Sequence, residues 1–456
     1  MSDEFAIPPV LGMEPAIYDL LSHLREAGPV TQVLLHDSMR AWLLSKPDDI
    51  AAAASDRRLT SDVTQLVGDE HGKTAGPDEI RSTVKFGLMA MDPPAHTRLR
   101  RLMANSFTST RVKALHHRIG EITGELLARI APLGNADLVD SLARPLPIKV
   151  ICELLAIPSR ERSHFQHLSG EMLLPPANPE AKERILAGRR DLYQYLRTLI
   201  RERSADLGDG VIGSLISAHD ESKMNDNEVV EAAVLLLVAG YETTVSFIGA
   251  AALALLQHPD QLAMLRNHPE LMPDAVEELL RYDGPLSIGV TRYTTSQVTI
   301  AGTRIPAGER VILGFGAANH DPGRFPNPET LDISRSRNSH FAFGYGPHYC
   351  LGAPLARLEA QIALGALISR FQNLSLAVPV SRLRWKQAIF RALEELPVSY
   401  TPIRWLSAIG EWRPVACRRR TEPCMCRKFM RAGERRGIRC LQVPGFVASY
   451  GAGRPR

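Results

Sequence analysis

Cysteine is scarce, six residues in 456, and too unevenly placed for a disulfide framework. Four of the six, Cys417, Cys424, Cys426 and Cys440, lie in the C-terminal tail, where no zinc-ligand spacing is present and no histidine follows His348. The other two, Cys152 and Cys350, fit a reducing compartment. A basic start leading into an apolar stretch is missing from Met1-Ser2-Asp3-Glu4-Phe5, so no secretory leader is read and a cytoplasmic protein is expected. No Gly-x-Gly-x-x-Gly fingerprint follows a strand, and no four-cysteine cluster has iron–sulfur spacing, which excludes a built-in flavin or iron–sulfur domain. Repeats and low-complexity linkers are also lacking before residue 400, which favours one large domain over residues 1–400.

A basic balance is missing from most of the chain as well. The net charge is +4 overall, but residues 401–456 carry twelve Arg and one Lys against three Glu, leaving residues 1–400 at −6. The main domain is therefore mildly acidic, and binding to nucleic acid is not expected. The basic, Cys- and Arg-rich segment 401–456 reads as an appended and poorly ordered extension, of the kind a shifted or extended reading frame would give.

The longest apolar run, Ala232 to Leu256, approaches the length of a bilayer span. Glu242 interrupts it near its middle, with Thr243, Thr244 and Ser246 beside it, and a central acidic residue costs roughly 3 kcal/mol on insertion. The better reading is a long helix buried in a soluble protein, with no membrane association. Elsewhere, Thr31–Leu35 and Ala41–Ser45 read as a small hairpin. Residues 95–257 show mainly helical spacing. Residues 298–314, punctuated by Gly302, Pro306 and Gly308, return to strands. Helix dominates and sheet is minor, so the fold class is mainly α with a small β-sheet.

The densest chemistry lies in Phe343-Gly344-Tyr345-Gly346-Pro347-His348-Tyr349-Cys350-Leu351-Gly352. Glycines at 344, 346 and 352 allow backbone to approach a flat ligand, and free N–H groups near Cys350 favour a thiolate. Phe343 can cover the sulfur. The run Gly352-Ala353-Pro354-Leu355-Ala356-Arg357-Leu358-Glu359 reads as a helix opening, whose N-terminal dipole favours a negative sulfur. A buried structural cysteine in a glycine-rich turn would share some of these features. The full run, however, resembles the haem-binding signature of the cytochrome P-450 superfamily, Phe-Gly-x-Gly-x-x-x-Cys-x-Gly.

Further motifs extend the resemblance over about residues 10 to 400. Ala239-Gly240-Tyr241-Glu242-Thr243-Thr244 matches the acid–alcohol motif: the small pair lets a helix pass close to the ring, Thr243 can bond the carbonyl four residues back, and Glu242 can relay protons. By the same resemblance, Glu278 and Arg281 form a buried structural pair joined by Arg324. His96, Arg100, Arg292 and His348 are cations for the haem propionates. Cys350 is the axial ligand, with Phe343, Gly344 and Gly352 around it.

The resemblance is closest to soluble bacterial members that tailor polyketides and macrolides. It implies a haem-thiolate monooxygenase with haem b, inserting one oxygen atom from O2 into a C–H bond by hydroxylation or epoxidation. Electrons would come from NAD(P)H through a ferredoxin and its reductase, docking near the Cys350 face through groups such as Arg357, and a monomer is expected. The implied pocket for an apolar substrate draws on Phe86, Leu88 and Met89, on Leu235 and Ala239, on Leu286, Ile288, Gly289 and Val290, and on Ile389 and Phe390. A hydrogen-peroxide-dependent peroxygenase and a non-catalytic haem or ligand-binding protein are the alternatives.

Overall fold

The computed structural model describes residues 5–6, 17–35, 40–66, 87–104, 107–172, 179–202, 224–336, 338–386, 390–403, 425–429 and 437–441. The chain divides into two compact units, Met1–Pro402 and Ile403–Arg456. In the first unit a six-stranded sheet is built from β1 (Phe5–Ala6), β2 (Val30–Leu34), β3 (Arg40–Leu44), β4 (Leu59–Thr60), β5 (Val290–Thr294) and β6 (Arg310–Leu313). Its spatial order is β1-β2-β3-β6-β5-β4. The expected hairpin is β2 with β3, antiparallel, Val30 opposite Leu44 and Leu34 opposite Arg40. The strands expected in 298–314 are Val298–Ile300, Thr303–Ile305 and β6.

Helices make up most of the rest. Helix α1 (Ile17–Ala27) lays Leu21 and Leu24 against Leu43 and Ile312 of the sheet. It is followed by α2 (Ala95–Ala104), α3 (His116–Ile130), α4 (Pro145–Leu154), α5 (Arg162–Met172), α6 (Pro179–Glu202), α7 (Asp226–Gln257), α8 (Met272–Asp283) and α9 (Ala353–Arg370). The main core joins Ile122 and Leu126 of α3, Val150 and Ile151 of α4, Val245 and Ile248 of α7, Leu279 of α8 and Leu364 of α9. Each such side chain stabilises the fold by about 2 kcal/mol through burial.

Helix α7 starts where a capping box fixes it. Asn225 Oδ1 accepts from the Glu228 N–H, and the Glu228 carboxylate accepts from the Asn225 N–H, both at 3.0 Å. Among the described residues, one helical span, Asn227–Gln257, is long and apolar enough to cross a membrane, and 61% of its most apolar window is buried within the fold. Helix α7 is apolar on nearly every face because neighbours pack on nearly every face.

In the second unit, Met425–Phe429 pairs antiparallel with Gly437–Leu441, placing Cys426 opposite Cys440. Residues 404–424, 430–436 and 442–456 of the extension lie outside the described ones.

One glycine governs how β5 meets β6. Gly289 has φ +126°, and a Cβ there would stand 1.8 Å from the Leu313 carbonyl oxygen. Relief requires pulling apart the β5–β6 pairing, in which Val290 lies opposite Leu313. Gly289→Ala is expected to lower unfolding stability by more than about 3 kcal/mol, measured by denaturant unfolding. A loss below about 1 kcal/mol would contradict this account of the close approach.

Candidate active site

Helix α8 presents two adjacent carboxylates to the segment that leads to Cys350. Glu278 and Arg281 are both fully buried and paired at 2.8 Å. Arg281 has five N–H donors. Two bond Glu278, at 2.8 Å each, and the others meet the backbone oxygens of Asn319 (3.0 Å), Pro328 (2.8 Å) and Thr330 (3.2 Å). Glu278 in turn accepts from the Asp332 N–H at 3.1 Å, Asn338 Nδ2 at 2.9 Å and Arg335 Nε at 3.1 Å.

The third arginine of this network is therefore Arg335, not Arg324. Arg324 follows a turn in which the Asp321 carboxylate accepts from the Gly323 N–H. That turn aims its guanidinium at the Ser339 carbonyl, at 3.0 and 3.1 Å, and over the Phe341 ring at 5.1 Å. Both arginines hold the approach to the cysteine loop, but only Arg335 reaches Glu278. Arg335 follows a turn in which Asp332 Oδ1 accepts from the Ser334 N–H and Oγ, a local signal for the turn but not for its partner on α8.

Glu277, one residue earlier, accepts two bonds from Arg357 at 2.6 and 2.7 Å and one contact from His340 Nε2 at 3.1 Å. Burial acts to raise its pKa, but Arg357 and His340 outweigh it and hold the carboxyl at about 2. Arg357 also lies 4.4 Å over the Phe343 ring. It was expected on a docking surface, yet it is locked by an ion pair and a ring because α9 turns it inward toward α8.

The cysteine loop closes on itself: the Gly344 N–H donates to Phe341 O at 2.8 Å and the Cys350 N–H to Phe343 O at 2.9 Å. Gly346, at φ +70°, lies where a Cβ would stand 3.1 Å from Ala54 O and from Ser55 Oγ. Cys350 is surrounded by protein yet open at its surface. Burial pushes its thiol pKa up; the N–H groups of Gly352 and Ala353, then Arg100 and Arg357, oppose the rise without reversing it. The helix opening thus favours the thiolate as expected, but desolvation is the larger effect.

Beside this loop the four expected cations converge. The His96 and His348 rings lie 4.2 Å apart, and Arg100 donates to the Tyr349 carbonyl. Arg292 bonds only its own neighbour's carbonyl, Thr291 O, at 2.9 Å among the described residues. Neither ring nitrogen of buried His96 has a hydrogen-bond partner. His348 meets Ser61 Oγ at 3.2 Å. The nearby carboxylate, Asp92, is already engaged by Thr60 Oγ1 and the Ser61 and Asp62 N–H groups. Burial, then the charges of Arg292 and His96, push His348 down to about 3. Burial also lowers the pKa of His96, Arg100 and Arg292. Two guanidinium groups gathered with two imidazoles, of which that of His96 lacks hydrogen-bond partners, fit an anionic ligand with two carboxylates, and an accessible thiol beside them fits haem.

On α7, Thr243 Oγ1 donates to Ala239 O and Ser246 Oγ to Glu242 O, each at 2.6 Å. The Thr243 bond to the carbonyl four residues back is the one expected from the sequence. Ala239 is open, whereas a Cβ at Gly240 would meet Ile151 of α4 at 3.6 Å, an ordinary packing distance. Glu242 faces Lys386 at 3.9 Å, a partner the sequence did not reveal.

Of the expected pocket residues, Leu88 and Leu235 are buried in the main core, Met89 is exposed, and Leu286, Val290 and Phe390 are half-buried. Ile288 belongs instead to the core between α1 and the sheet, and Gly289 to the strand contact described above. Phe86 and Ile389 lie outside the described residues.

The family model of Cytochrome P450 matches residues 164–385. The chain is 39% identical over 388 residues to 6-deoxyerythronolide B hydroxylase of Saccharopolyspora erythraea, covering 84% of this chain and 95% of that protein. Mycinamicin IV hydroxylase/epoxidase of Micromonospora griseorubida is 39% identical, covering 82% and 93%. Among solved structures, the cytochrome P450 PksS of the Bacillus subtilis 168 bacillaene polyketide synthase is similar with a TM-score of 0.76 and 37% identity, covering 84% and 96%.

Two outcomes test the α8 platform. Arg335→Ala is expected to cost roughly 3–5 kcal/mol, and Arg324→Ala about 1 kcal/mol, by denaturant unfolding; equal losses would contradict the assignment of the third partner. Glu277 has a folded pKa below its ordinary value, so its contribution is present above about pH 4.5 and is lost as pH falls toward 2. The stability gap between the parent protein and Glu277→Gln should therefore shrink over that window. A gap constant from pH 7 to pH 3 would contradict this.

Proposed function

Since the chain belongs to the cytochrome P450 family and is a haem-thiolate monooxygenase, we propose that it hydroxylates or epoxidises an apolar natural product of the polyketide or macrolide class. The observation that carries this reading is the open Cys350 thiol set beside the cluster of His96, Arg100, Arg292 and His348, together with relatives named for macrolide hydroxylation. When bound, haem b supplies the iron at which oxygen is activated.

The protein's own groups divide the remaining work. Cys350 Sγ would hold the haem iron, kept in place by the loop of Phe343, Gly344 and Gly352. Arg100 and Arg292, with the imidazoles of His96 and His348, would hold the propionates. Thr243 Oγ and the Glu242 carboxylate hold and pass the protons that oxygen activation consumes, where the Thr243 hydroxyl donates to Ala239 O. Ala239, Leu88, Leu235, Leu286, Val290 and Phe390 offer the apolar surface that positions substrate and excludes water. Glu278, Arg281 and Arg335 act through the cysteine loop as positioning residues.

The same reading places residues 1–400 as a monomeric, soluble, cytoplasmic catalytic domain and 401–456 as an extension outside it. Electrons come from NAD(P)H through a ferredoxin and its reductase. With Arg357 held by Glu277 and donating to the Tyr349 hydroxyl at 3.3 Å, exposed Tyr345 and Tyr349 offer surface beside the cysteine loop for that contact.

Thr243→Ala tests the proton assignment. Electron consumption with a macrolactone probe should continue while product per electron falls on the order of tenfold to a hundredfold and peroxide rises in its place. Unchanged coupling would overturn the role given to Thr243.

A further inference from the structure

The Glu242 carboxylate has one charged neighbour that comes from far along the chain. Lys386 Nζ lies 3.9 Å from Glu242 Oε2, with 23% and 20% of the two side chains exposed. That separation is too long for a direct hydrogen bond but close enough for strong charge attraction, so the carboxylate keeps its lone pairs free while its charge is balanced. The other ionisable groups near it are Tyr241, held up at about 12 by burial and then by Glu242, and beyond Tyr241 the Asp140–Arg144 pair. Lys386 is the cation paired with Glu242 among the described residues.

The backbone of Lys386 is fixed. Its N–H donates to Ala392 O at 2.7 Å, and Trp385 bridges antiparallel to Leu393. Arg391 pins this turn to the domain. Its guanidinium lies 3.8 Å over the Trp385 ring, its Nε donates to Asp283 Oδ1 at 2.6 Å, and its N–H donates to Pro285 O at 3.0 Å. Asp283 also accepts from Tyr18 at 2.8 Å. A cation on a flexible four-carbon stem is thus presented from a rigid base to a carboxylate on α7, beside Thr243.

We propose that Lys386 is the positioning residue for Glu242, holding its carboxylate in the one orientation from which protons pass to the neighbouring Thr243 hydroxyl. The proposal rests on the reading of Glu242 as a proton carrier, and the experiment separates the two. Holoenzyme variants Lys386→Met, Lys386→Arg, Glu242→Gln and the Lys386→Met/Glu242→Gln double would be compared with the parent. A surrogate ferredoxin, its reductase and NADPH drive turnover without substrate, in water and in D2O from pH 6 to 9, and the readout is peroxide released per NADPH. Thermal unfolding of the same four variants supplies a measurement independent of turnover.

The expected result is that Lys386→Met and Glu242→Gln each change the peroxide ratio at least threefold and alter its pH profile. The double variant should be no worse than either single one, Lys386→Arg should restore the parent ratio, and the two single losses in Tm should be non-additive. If Glu242→Gln changes the ratio and Lys386→Met does not, the role of Lys386 is overturned and the proton reading stands. Additive effects in the double variant overturn it as well. If Glu242→Gln leaves the ratio unchanged, the proton reading falls and this inference falls with it.

Discussion

The presentation of Cys350 depends on the saturated buried pair of Glu278 and Arg281. A carboxylate and a guanidinium with no solvent exposure would each suffer a desolvation cost of several kcal/mol, and attraction between them alone seldom offsets it. Here every Arg281 donor has an acceptor, and both Glu278 oxygens accept from several donors. Those partners lie on the chain between Asn319 and Asn338, so satisfying the pair requires that segment to fold onto α8. The loop that carries the cysteine begins immediately afterwards. Glu277 continues the same logic outward, tying α8 to Arg357 at the start of α9 and to His340.

A contrasting arrangement faces the other side of the loop. Where the α8 platform has every charge answered, His96, Arg100, Arg292 and His348 stand together with one carboxylate nearby, itself engaged by Thr60, Ser61 and Asp62. Burial lowers the pKa of all four, and for His96 and His348 the neighbouring arginines add to it, a local cost that the rest of the fold must offset. An anionic ligand removes that cost and supplies acceptors for the orphaned His96 nitrogens. Stability and cofactor affinity are thereby linked through the same four side chains, since a ligand that binds only the folded state stabilises it.

Much of this was legible because its determinants are local. The cysteine loop, the Glu242-Thr243 pair and the Glu278–Arg281 pair are each set within a few residues, and glycine, proline and helix spacing announce them. Arg335 was missed and Arg324 chosen in its place because their distance from Glu278 is fixed by how the segment after β6 folds back, which no local pattern records. Lys386 was missed for the same reason, being more than a hundred residues from its partner. Arg357 looked like a free surface charge because its ion pair crosses from α9 to α8. Ile288 shows another limit: spacing gives the helix or strand, but which neighbour takes a given face depends on tertiary packing, here α1. The helix opening behind Cys350 was read correctly in sign, while the opposing burial of the sulfur could be weighed only in three dimensions.

The most direct test of the central claim, that this platform presents Cys350 as a thiolate ligand to haem, is the reduced, carbon-monoxide-bound difference spectrum of the purified protein and of Cys350→Ser. The account predicts a Soret band at the long wavelength diagnostic of thiolate ligation in the parent protein and its loss in the variant. A band typical of histidine ligation, or the same long-wavelength band in both proteins, would contradict it.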